Sequence, residues 1–290
     1  MKKYIFIPLL LLSFFAGCAS SPGTPDTTDT PAVTETPVAT YTPAPTASAA
    51  SPTIPVMHDY ETMDSKGVGW GFVRKKGVEP ELPEGQIKAL EENGGRYIDH
   101  SGEKVLYLTF DEGYENGYTA KILDTLAEKQ VSAAFFVTGP YLENQPELIK
   151  RMIDEGHIVG NHTVNHLNLP KQTTQTVQNE LEKLNKTSED LYGYTMHYMR
   201  PPEGEYSEKV LAIAQDMGYK TILWSMAYKD WDVNTQKGAA HAYDEVVPYL
   251  HPGAVILLHA VSSDNTAALG DIIDAARSMG YEFCSLDKLN

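Results

Sequence analysis

Short runs rich in β-branched and aromatic residues alternate with amphipathic helical stretches after residue 55, and this alternation restricts the fold more than any other feature. Strands separated by helices are typical of parallel βαβ units. The pattern predicts about seven strands, at 104–110, 132–137, 157–161, 197–200, 220–226, 254–259 and 281–285. It predicts helices between them, at 118–129, 146–155, 173–192, 207–217, 243–250 and 266–279. We therefore expect an α/β fold, and the pattern alone leaves open whether its sheet forms a distorted barrel or an open doubly wound sheet.

The N-terminus does not share this alternation. A basic start is followed by an apolar run at 4–17 that is too short to span a bilayer comfortably, which predicts a secretory signal peptide at 1–18. The run ends in Phe-Ala-Gly-Cys, which resembles the bacterial lipobox, in which the cysteine is lipidated and becomes the mature N-terminus. We expect Cys18 to carry this lipid anchor. The alternative is plain cleavage that leaves Cys18 without a role.

The remaining chain divides into three parts. Residues 19–55 consist almost wholly of Thr, Pro, Ala and Ser, and such a segment has too little apolar surface to offset the entropy of ordering. We therefore expect a disordered tether, followed by an N-terminal extension at 56–102 and a catalytic domain at 103–290. In the extension, Trp70 and Phe72 stand among glycines. They either expose their rings for stacking on sugars or pack the extension onto the catalytic domain, and the second interpretation is favoured.

Charge and cysteine content exclude some classes of protein. The formal net charge is −16, which argues against a nucleic-acid partner because phosphate binding needs clustered Lys and Arg. Only Cys284 would accompany a lipidated Cys18, so no structural disulfide is expected. We expect a monomer that contacts the membrane only through its lipid anchor.

Five segments carry the chemically active side chains, and each falls at or just after the end of a predicted strand. α/β barrels place their active sites at these strand ends, so residues distant in sequence can converge on one mouth. The segments are Thr109-Phe110-Asp111-Glu112-Gly113, His162-Thr163-Val164-Asn165-His166, Arg200-Pro201-Pro202-Glu203-Gly204, Asp230-Trp231 and Leu257-Leu258-His259.

The spacing of His162 and His166 predicts a metal site. Four residues apart, both imidazoles would face one ion from a single helical turn, a geometry that suits Zn²⁺ or a similar divalent metal. A carboxylate from another strand end would complete three protein ligands and leave a position open for water. A metal held in this way lowers the pKa of water and polarises a carbonyl group.

Three further residues are placed to support acid–base chemistry. Arg200 stands at a strand end before two prolines, where a rigid guanidinium can hold a carboxylate by two parallel hydrogen bonds and keep it ionised. His259 ends a strongly apolar run, in the position of a catalytic acid. Asp230 is a candidate to orient His259 and raise its pKa.

Together the five segments, in this order, resemble the polysaccharide deacetylases of carbohydrate esterase family 4, whose shared module is the NodB-homology domain. The resemblance implies a distorted (β/α) barrel. It implies that Asp111 is the general base, positioned by Arg200, and that His162 and His166 bind the metal. The last motif implies that His259 protonates the leaving amine.

The resemblance also implies how substrate is held. The backbone amide of Glu203 would help to stabilise the oxyanion, Asp230 would tune the catalytic acid, and Trp231 and Leu257 would line the pocket for the acetyl methyl group. We place Tyr114 among the substrate-binding residues as well.

Glu112 departs from the family pattern, which has Asp as third metal ligand at this position. Either Glu112 still binds the metal after the loop adjusts, or the site is a weaker two-histidine site completed by water or another ligand. The muramic-acid deacetylases of spore-forming bacteria vary at this same position, and they resemble this chain at 69–72, 113–119, 200–204 and 224–231.

The resemblance therefore implies a metal-dependent enzyme, with Zn²⁺ favoured, that removes acetate from N-acetylmuramic acid in peptidoglycan, outside the cytoplasm and facing the cell wall. Two alternatives use the same machinery: deacetylation of N-acetylglucosamine in peptidoglycan or chitin-like glycans, and hydrolysis of O-acetyl groups on xylan. A third is a wall-binding lipoprotein whose catalytic site has decayed through Glu112. The lipobox and the tether lie outside the resemblance, so a role in vegetative cells stays open beside one in sporulation.

Overall fold

The computed structural model describes residues 58–289. The predicted signal peptide with Cys18, the whole predicted tether and the first two residues of the predicted extension lie outside the described residues. The strands are β1 Val68–Gly69, β2 Val105–Glu112, β3 Ala134–Val137, β4 Ile158–Asn161, β5 Tyr198–Met199, β6 Glu205–Tyr206, β7 Lys220–Thr221, β8 Met226–Ala227, β9 Ala254–His259 and β10 Glu282–Phe283. The α-helices are α1 Glu84–Glu92, α2 Thr119–Lys129, α3 Gly139–Asn144, α4 Pro146–Asp154, α5 Thr174–Tyr192, α6 Glu208–Asp216, α7 Ala239–Val246 and α8 Ser263–Ser278.

One parallel sheet organises these elements. Its strand order is β7-β5-β4-β3-β2-β9-β8, and β10 pairs with the start of β2. The sheet curls into a half-barrel of the type that the family resemblance implied. Each predicted strand is present, but the one predicted at 220–226 is split into β7 and β8.

This split strand occupies both edges of the sheet. β7 pairs with β5 and β8 pairs with β9, although only the residues from 222 to 225 separate them. Between the two, the amide of Ile222 donates to Met199 at 2.8 Å and that of Ser225 to Val255 at 3.0 Å. A single irregular segment thus bridges the two ends of the curled sheet.

Alternation along β2 determines which side chains reach the barrel interior. Leu106, Leu108 and Phe110 pack outward in the large core cluster that includes the buried residues of α2. Tyr107 belongs instead to the interior cluster with Phe136 of β3. Because successive side chains of a strand point to opposite faces, residues 109 and 111 share the interior face and residue 112 shares the outer one.

Side-chain caps fix the beginnings of three helices on the outer layer. Thr173, Ser207 and Ser262 each accept a hydrogen bond from the amide three residues later, which satisfies a donor that the first helical turn leaves free. Helix α8 consequently begins at Ser263, three residues before the predicted start at 266.

The N-terminal extension packs on the barrel through a separate cluster of buried side chains. The cluster joins residues of the extension, of β6 and α6, and of the segment between β7 and β8: Trp70, Leu90, Tyr97, Ile98, Tyr206, Leu211 and Leu223. Strand β1 pairs antiparallel with β6, a ribbon that the alternation pattern did not predict. Within residues 58–289, no helix has the length and apolar character needed to cross a membrane.

Candidate active site

A cavity of about 570 Å³ opens at the C-terminal ends of the central strands. It collects residues from each of the five segments that the sequence singled out, together with Trp70 and Trp224. Its lining comprises Trp70, Asp111, Gly113, Tyr114, His162, His166, Glu203, Gly204, Trp224, Trp231, Leu257, His259 and Val261.

The buried ion pair between Asp111 and Arg200 lies at the base of this cavity. Arg200 is fully buried, and its Nη1 donates to Asp111 Oδ1 at 2.7 Å. Its Nη2 donates to Thr109 Oγ1 at 2.9 Å and its Nε to the carbonyl of Ile222 at 2.9 Å. The guanidinium therefore gives the carboxylate one hydrogen bond, not the two parallel bonds expected from sequence. Oδ2 of Asp111 is left facing His162 Nε2, at 3.6 Å.

This arrangement keeps Asp111 ionised. Burial alone would raise the pKa of Asp111, but the charge of Arg200, with smaller contributions from His162 and His259, holds it below its ordinary value. A carboxylate with one free oxygen at the base of a cavity is suited to accept a proton from a bound water molecule.

His162 and His166 meet in space, but not on a helical turn as the spacing predicted. The ring centroids are 4.9 Å apart, and the loop that carries the rings contains left-handed residues at Thr163 and His166, with φ of 67° and 53°. Backbone amides of this loop donate to side chains and not to helical carbonyl groups. The Thr163 amide donates to Asn161 at 2.9 Å, and the Asn165 amide donates to Glu180 at 2.7 Å. The helical geometry was therefore wrong, while the convergence of the two rings is present.

The histidine pair offers nitrogen donors that fit a divalent metal. Nδ1 of His162 lies 2.7 Å from the carbonyl of Arg200, which fixes its proton there and leaves Nε2 with a lone pair facing the cavity. Burial, with the nearby charges of His166 and Arg200, lowers the pKa of His162 to about 4, so the ring is neutral at pH 7. In the part of the chain that the structure describes, no group of three His, Cys, Asp or Glu side chains is placed to hold a metal.

Glu112 lies apart from this pair. Its side chain is on the outer face of β2, fully buried, with Oε1 3.5 Å from Thr119 Oγ1 and with no hydrogen-bond partner for Oε2. Burial, reinforced by the charges of Glu115 and Asp111, raises the pKa of Glu112 well above its ordinary value. The Glu112 carboxyl group does not contribute to the cavity lining, and its predicted role as a third metal ligand stays a prediction.

Across the cavity, His259 pairs with Asp230. Nδ1 of His259 lies 2.7 Å from Asp230 Oδ1, and the His259 amide donates to Oδ2 at 2.8 Å. Burial opposes the charged imidazolium, but the hydrogen bond and charge of Asp230 outweigh it and raise the pKa of His259. Since Nδ1 is engaged, Nε2 is the nitrogen available to a ligand, and the pair is suited to donate a proton.

Asn265 was not identified from the sequence. Its amide nitrogen donates to Asp230 Oδ2 at 2.6 Å, so it fixes the carboxylate that orients His259. A polar residue six positions after His259 was the available signal, but the helix was predicted to begin at 266, which left Asn265 outside it.

The remaining predicted substrate residues form the cavity rim. Trp231 and Tyr114 are exposed, at 52% and 54%, while Leu257 is buried at the cavity wall. The Trp231 ring lies 5.6 Å from that of His259. Glu203 lies in the turn after the two prolines, with φ of 60°, and lines the cavity. Among the described residues, the predicted site residues thus line this cavity or, like Arg200 and Asp230, bond directly to residues that line it. Glu112 is the exception, on the other face of β2.

Comparison with known proteins identifies the family. The polysaccharide deacetylase model matches residues 99–222. Over 231 residues the chain is 44% identical to peptidoglycan-N-acetylmuramic acid deacetylase PdaA of Bacillus subtilis, covering 79% of this chain and 88% of that protein. The structure of PdaA, described as a family 4 carbohydrate esterase, matches with a TM-score of 0.76 at 43% identity over 78% of this chain and 97% of the other.

Two further proteins are similar over shorter or more divergent stretches. A family 4 carbohydrate esterase from Bacillus anthracis matches with a TM-score of 0.67 at 40% identity, covering 79% of this chain and 98% of the other. The peptidoglycan-N-acetylglucosamine deacetylase PgdA of Listeria monocytogenes is 37% identical over 64% of this chain and 39% of its own length. Deacetylases of this family are metalloenzymes that use a divalent metal. The chain therefore belongs to the polysaccharide deacetylases of carbohydrate esterase family 4, a family of hydrolases.

Proposed function

We propose that this protein removes the acetyl group from N-acetylmuramic acid in the glycan strand of peptidoglycan. The observation that carries the proposal is the similarity to the Bacillus subtilis muramic-acid deacetylase along nearly the whole of that protein. The cavity supports it, because a carboxylate held ionised and a histidine with a raised pKa face one space from neighbouring strands.

In the proposed mechanism, Asp111 takes the proton of the attacking water through its free oxygen, Oδ2. His259 then donates from Nε2 to the departing nitrogen as the C–N bond breaks, and Asp230 stabilises the imidazolium beforehand. At the end of the reaction, acetate and a free amine leave. Arg200 holds the base in place throughout, because its guanidinium also donates to Thr109 of β2 and to the carbonyl of Ile222.

The rim and the histidine pair complete this proposal. Leu257 and Trp231 receive the acetyl methyl group, and the amide of Glu203 stabilises the developing oxyanion. A divalent metal bound by His162 and His166 would polarise the acetyl carbonyl, and their nitrogen donors favour Zn²⁺.

Deacetylation of N-acetylglucosamine is the second candidate, favoured by the similarity to the Listeria monocytogenes enzyme. Both reactions use the same base and acid, and they differ in which sugar of the strand enters the cavity. The lactyl group of muramic acid adds bulk beside the acetamide, so the two candidates are separated by substrate and not by mechanism.

The deciding experiment is mass spectrometry of peptidoglycan fragments, with and without peptide stems, after incubation with metal-free protein and with protein plus Zn²⁺. We expect zinc-dependent loss of one acetyl group from muramic acid. Loss from glucosamine alone would support the second candidate. Binding of fragments without any acetate release would contradict both and would indicate a decayed site.

The location of the enzyme follows from its substrate class, because peptidoglycan lies outside the cytoplasm. We further propose that Cys18 is lipidated and tethers a monomeric enzyme to the membrane. Fractionation of cells that express the full chain tests this: wild-type protein should sediment with membranes and Cys18→Ala should be released. Equal membrane association of the two proteins would contradict the anchor.

A further inference from the structure

The N-terminal extension contributes one wall of the catalytic cavity. Trp70 lines the cavity, yet only 4% of its surface is exposed. It directly follows β1, whose Val68 and Gly69 pair with Tyr206 and Glu205 of β6. The burial of its ring argues against the sugar-stacking role that the sequence left open, and it calls for another explanation of a tryptophan in this wall.

Both N–H groups of Trp70 donate hydrogen bonds, and their acceptors lie in different parts of the site. The backbone amide donates to the carbonyl of Gly204 at 3.0 Å, and Nε1 of the ring donates to the carbonyl of Trp224 at 2.8 Å. Gly204 ends the turn that carries Glu203, and Trp224 lies in the segment that bridges the sheet edges. Trp70 therefore joins two segments that no regular sheet pairing holds together.

The turn at Pro202–Gly204 needs such support. Glu203 and Gly204 have consecutive left-handed conformations, with φ of 60° and 65°. A left-handed residue that is not glycine is unfavourable by itself and persists only where the surroundings fix it. The Trp224 ring closes the other side, because a Cβ added to Gly204 would lie 2.6 Å from its Cη2 atom.

Trp224 connects this wall to the buried ion pair. Its ring centre lies 5.6 Å from Cζ of Arg200, whose guanidinium donates to Asp111. A shift of Trp224 would therefore loosen both the turn that carries Glu203 and the packing over the arginine that holds the base.

We propose that Trp70 is a positioning residue for the deacetylation, which holds the Pro202–Gly204 turn and the Trp224 ring in the arrangement that the cavity requires. The extension is then a component of the active site and not only an added layer. This inference rests on the proposed function, since it concerns the rate of that reaction.

The test compares Trp70→Phe with Tyr97→Phe in the full chain. Trp70→Phe keeps an aromatic ring and removes the donor to Trp224. Tyr97→Phe is the matched control, because Tyr97 is equally buried in the same cluster and its hydroxyl donates to Glu79 at 2.6 Å, away from the cavity. Kinetic constants are measured on a muramic-acid-containing fragment, with the folded fraction determined by circular dichroism.

For Trp70→Phe we expect kcat to fall about 5- to 20-fold with KM changed less than about twofold, because a loosened site loses transition-state stabilisation more than substrate affinity. Tyr97→Phe should lower the melting temperature and leave kcat unchanged. Gly204→Ala, which displaces the Trp224 ring from the opposite side, should reproduce the fall in kcat.

Other outcomes overturn the inference in distinguishable ways. Equal kcat values for Trp70→Phe and Tyr97→Phe would reduce Trp70 to a purely structural residue. A rise in KM with kcat retained would mean that the ring contacts the sugar directly. An inactive wild-type protein would contradict the proposed function itself, before any variant is compared.

Discussion

Strand β2 ends in two adjacent carboxyl groups that experience opposite surroundings. Asp111 faces the barrel mouth, where Arg200 and two histidines lower its pKa in spite of its burial. Glu112 faces the helix layer, where burial and two neighbouring acids raise its pKa. Because successive side chains of a strand point to opposite faces, these two neighbours in sequence have different surroundings. Those surroundings shift their pKa values in opposite directions.

The largest expected effect comes from removing the charge of Asp111. Asp111→Asn removes the base but keeps an oxygen that can accept from Arg200, so we expect the fold to persist. Turnover should fall by about 10²- to 10⁴-fold, the contribution typical of a positioned general base. Acetate release and far-ultraviolet circular dichroism check this, and substantial residual activity would exclude Asp111 as the base.

Asp230→Asn should have the next largest effect, because it weakens the acid across the cavity from Asp111. Asp230 raises the pKa of His259, and activity that needs protonated His259 is lost as pH rises through that pKa. Without the carboxylate the pKa falls, so the alkaline limb of the pH–rate profile should move to lower pH, with kcat reduced about 10- to 100-fold. An alkaline limb at the wild-type position would assign it to another group.

Glu112→Gln addresses the other side of the strand. If Glu112 remains on the helix face, its loss should change the Zn²⁺ dissociation constant by less than about threefold, whereas His162→Ala should weaken binding by at least about tenfold. Isothermal titration calorimetry of the purified proteins measures both constants. Equal loss in the two variants would show that Glu112 turns toward the histidines when metal binds.

The same variant also has a stability signature. A carboxyl group whose pKa is raised in the folded state keeps a proton that the unfolded chain releases, so wild-type stability falls as pH rises above about 4.3, the ordinary pKa of Glu. Gln does not titrate, so the variant should become more stable relative to wild type as pH rises from 4 to 8. Urea denaturation of both proteins at pH 4 and pH 8 measures this. The same difference between their midpoints at the two pH values would contradict a raised pKa.

Thr119→Val should produce the smallest effect. It removes a hydroxyl group that lies 3.5 Å from Glu112 Oε1 and accepts from Tyr141 at 3.1 Å. We expect a loss of about 1 kcal/mol in the free energy of unfolding with kcat unchanged, since the helix face does not enter the cavity. Chemical denaturation and acetate release measure the two quantities, and a fall in kcat would show that the faces of β2 are coupled.

The sequence predicted the strand ends and the groups that meet there, because hydrophobic periodicity is a local signal. It did not predict how the loop after β4 is shaped, since Asn161 and Glu180 redirect its backbone through contacts that spacing cannot reveal. Glu112 is a different case. The alternation along β2 separates it from Asp111, whereas the family resemblance implied a role as metal ligand, and that role stays a prediction.

The role of the extension could not be predicted from the sequence either, and the physical reason is a different one. Strand β1 pairs with residues more than 130 positions later, and no local pattern encodes such a pairing. Trp70 therefore offered two interpretations from its neighbours alone, and only the fold places it between Gly204 and Trp224.

The segment from Lys220 to Ala227 has a further consequence for how this molecule folds. Because it pairs with β5 at one end and with β9 at the other, this one segment forms both edges of the sheet. The amides of Ile222 and Ser225 are then expected to exchange with solvent only in openings nearly as costly as complete unfolding. Formation of the complete sheet therefore requires this short irregular stretch to pair at both of its ends.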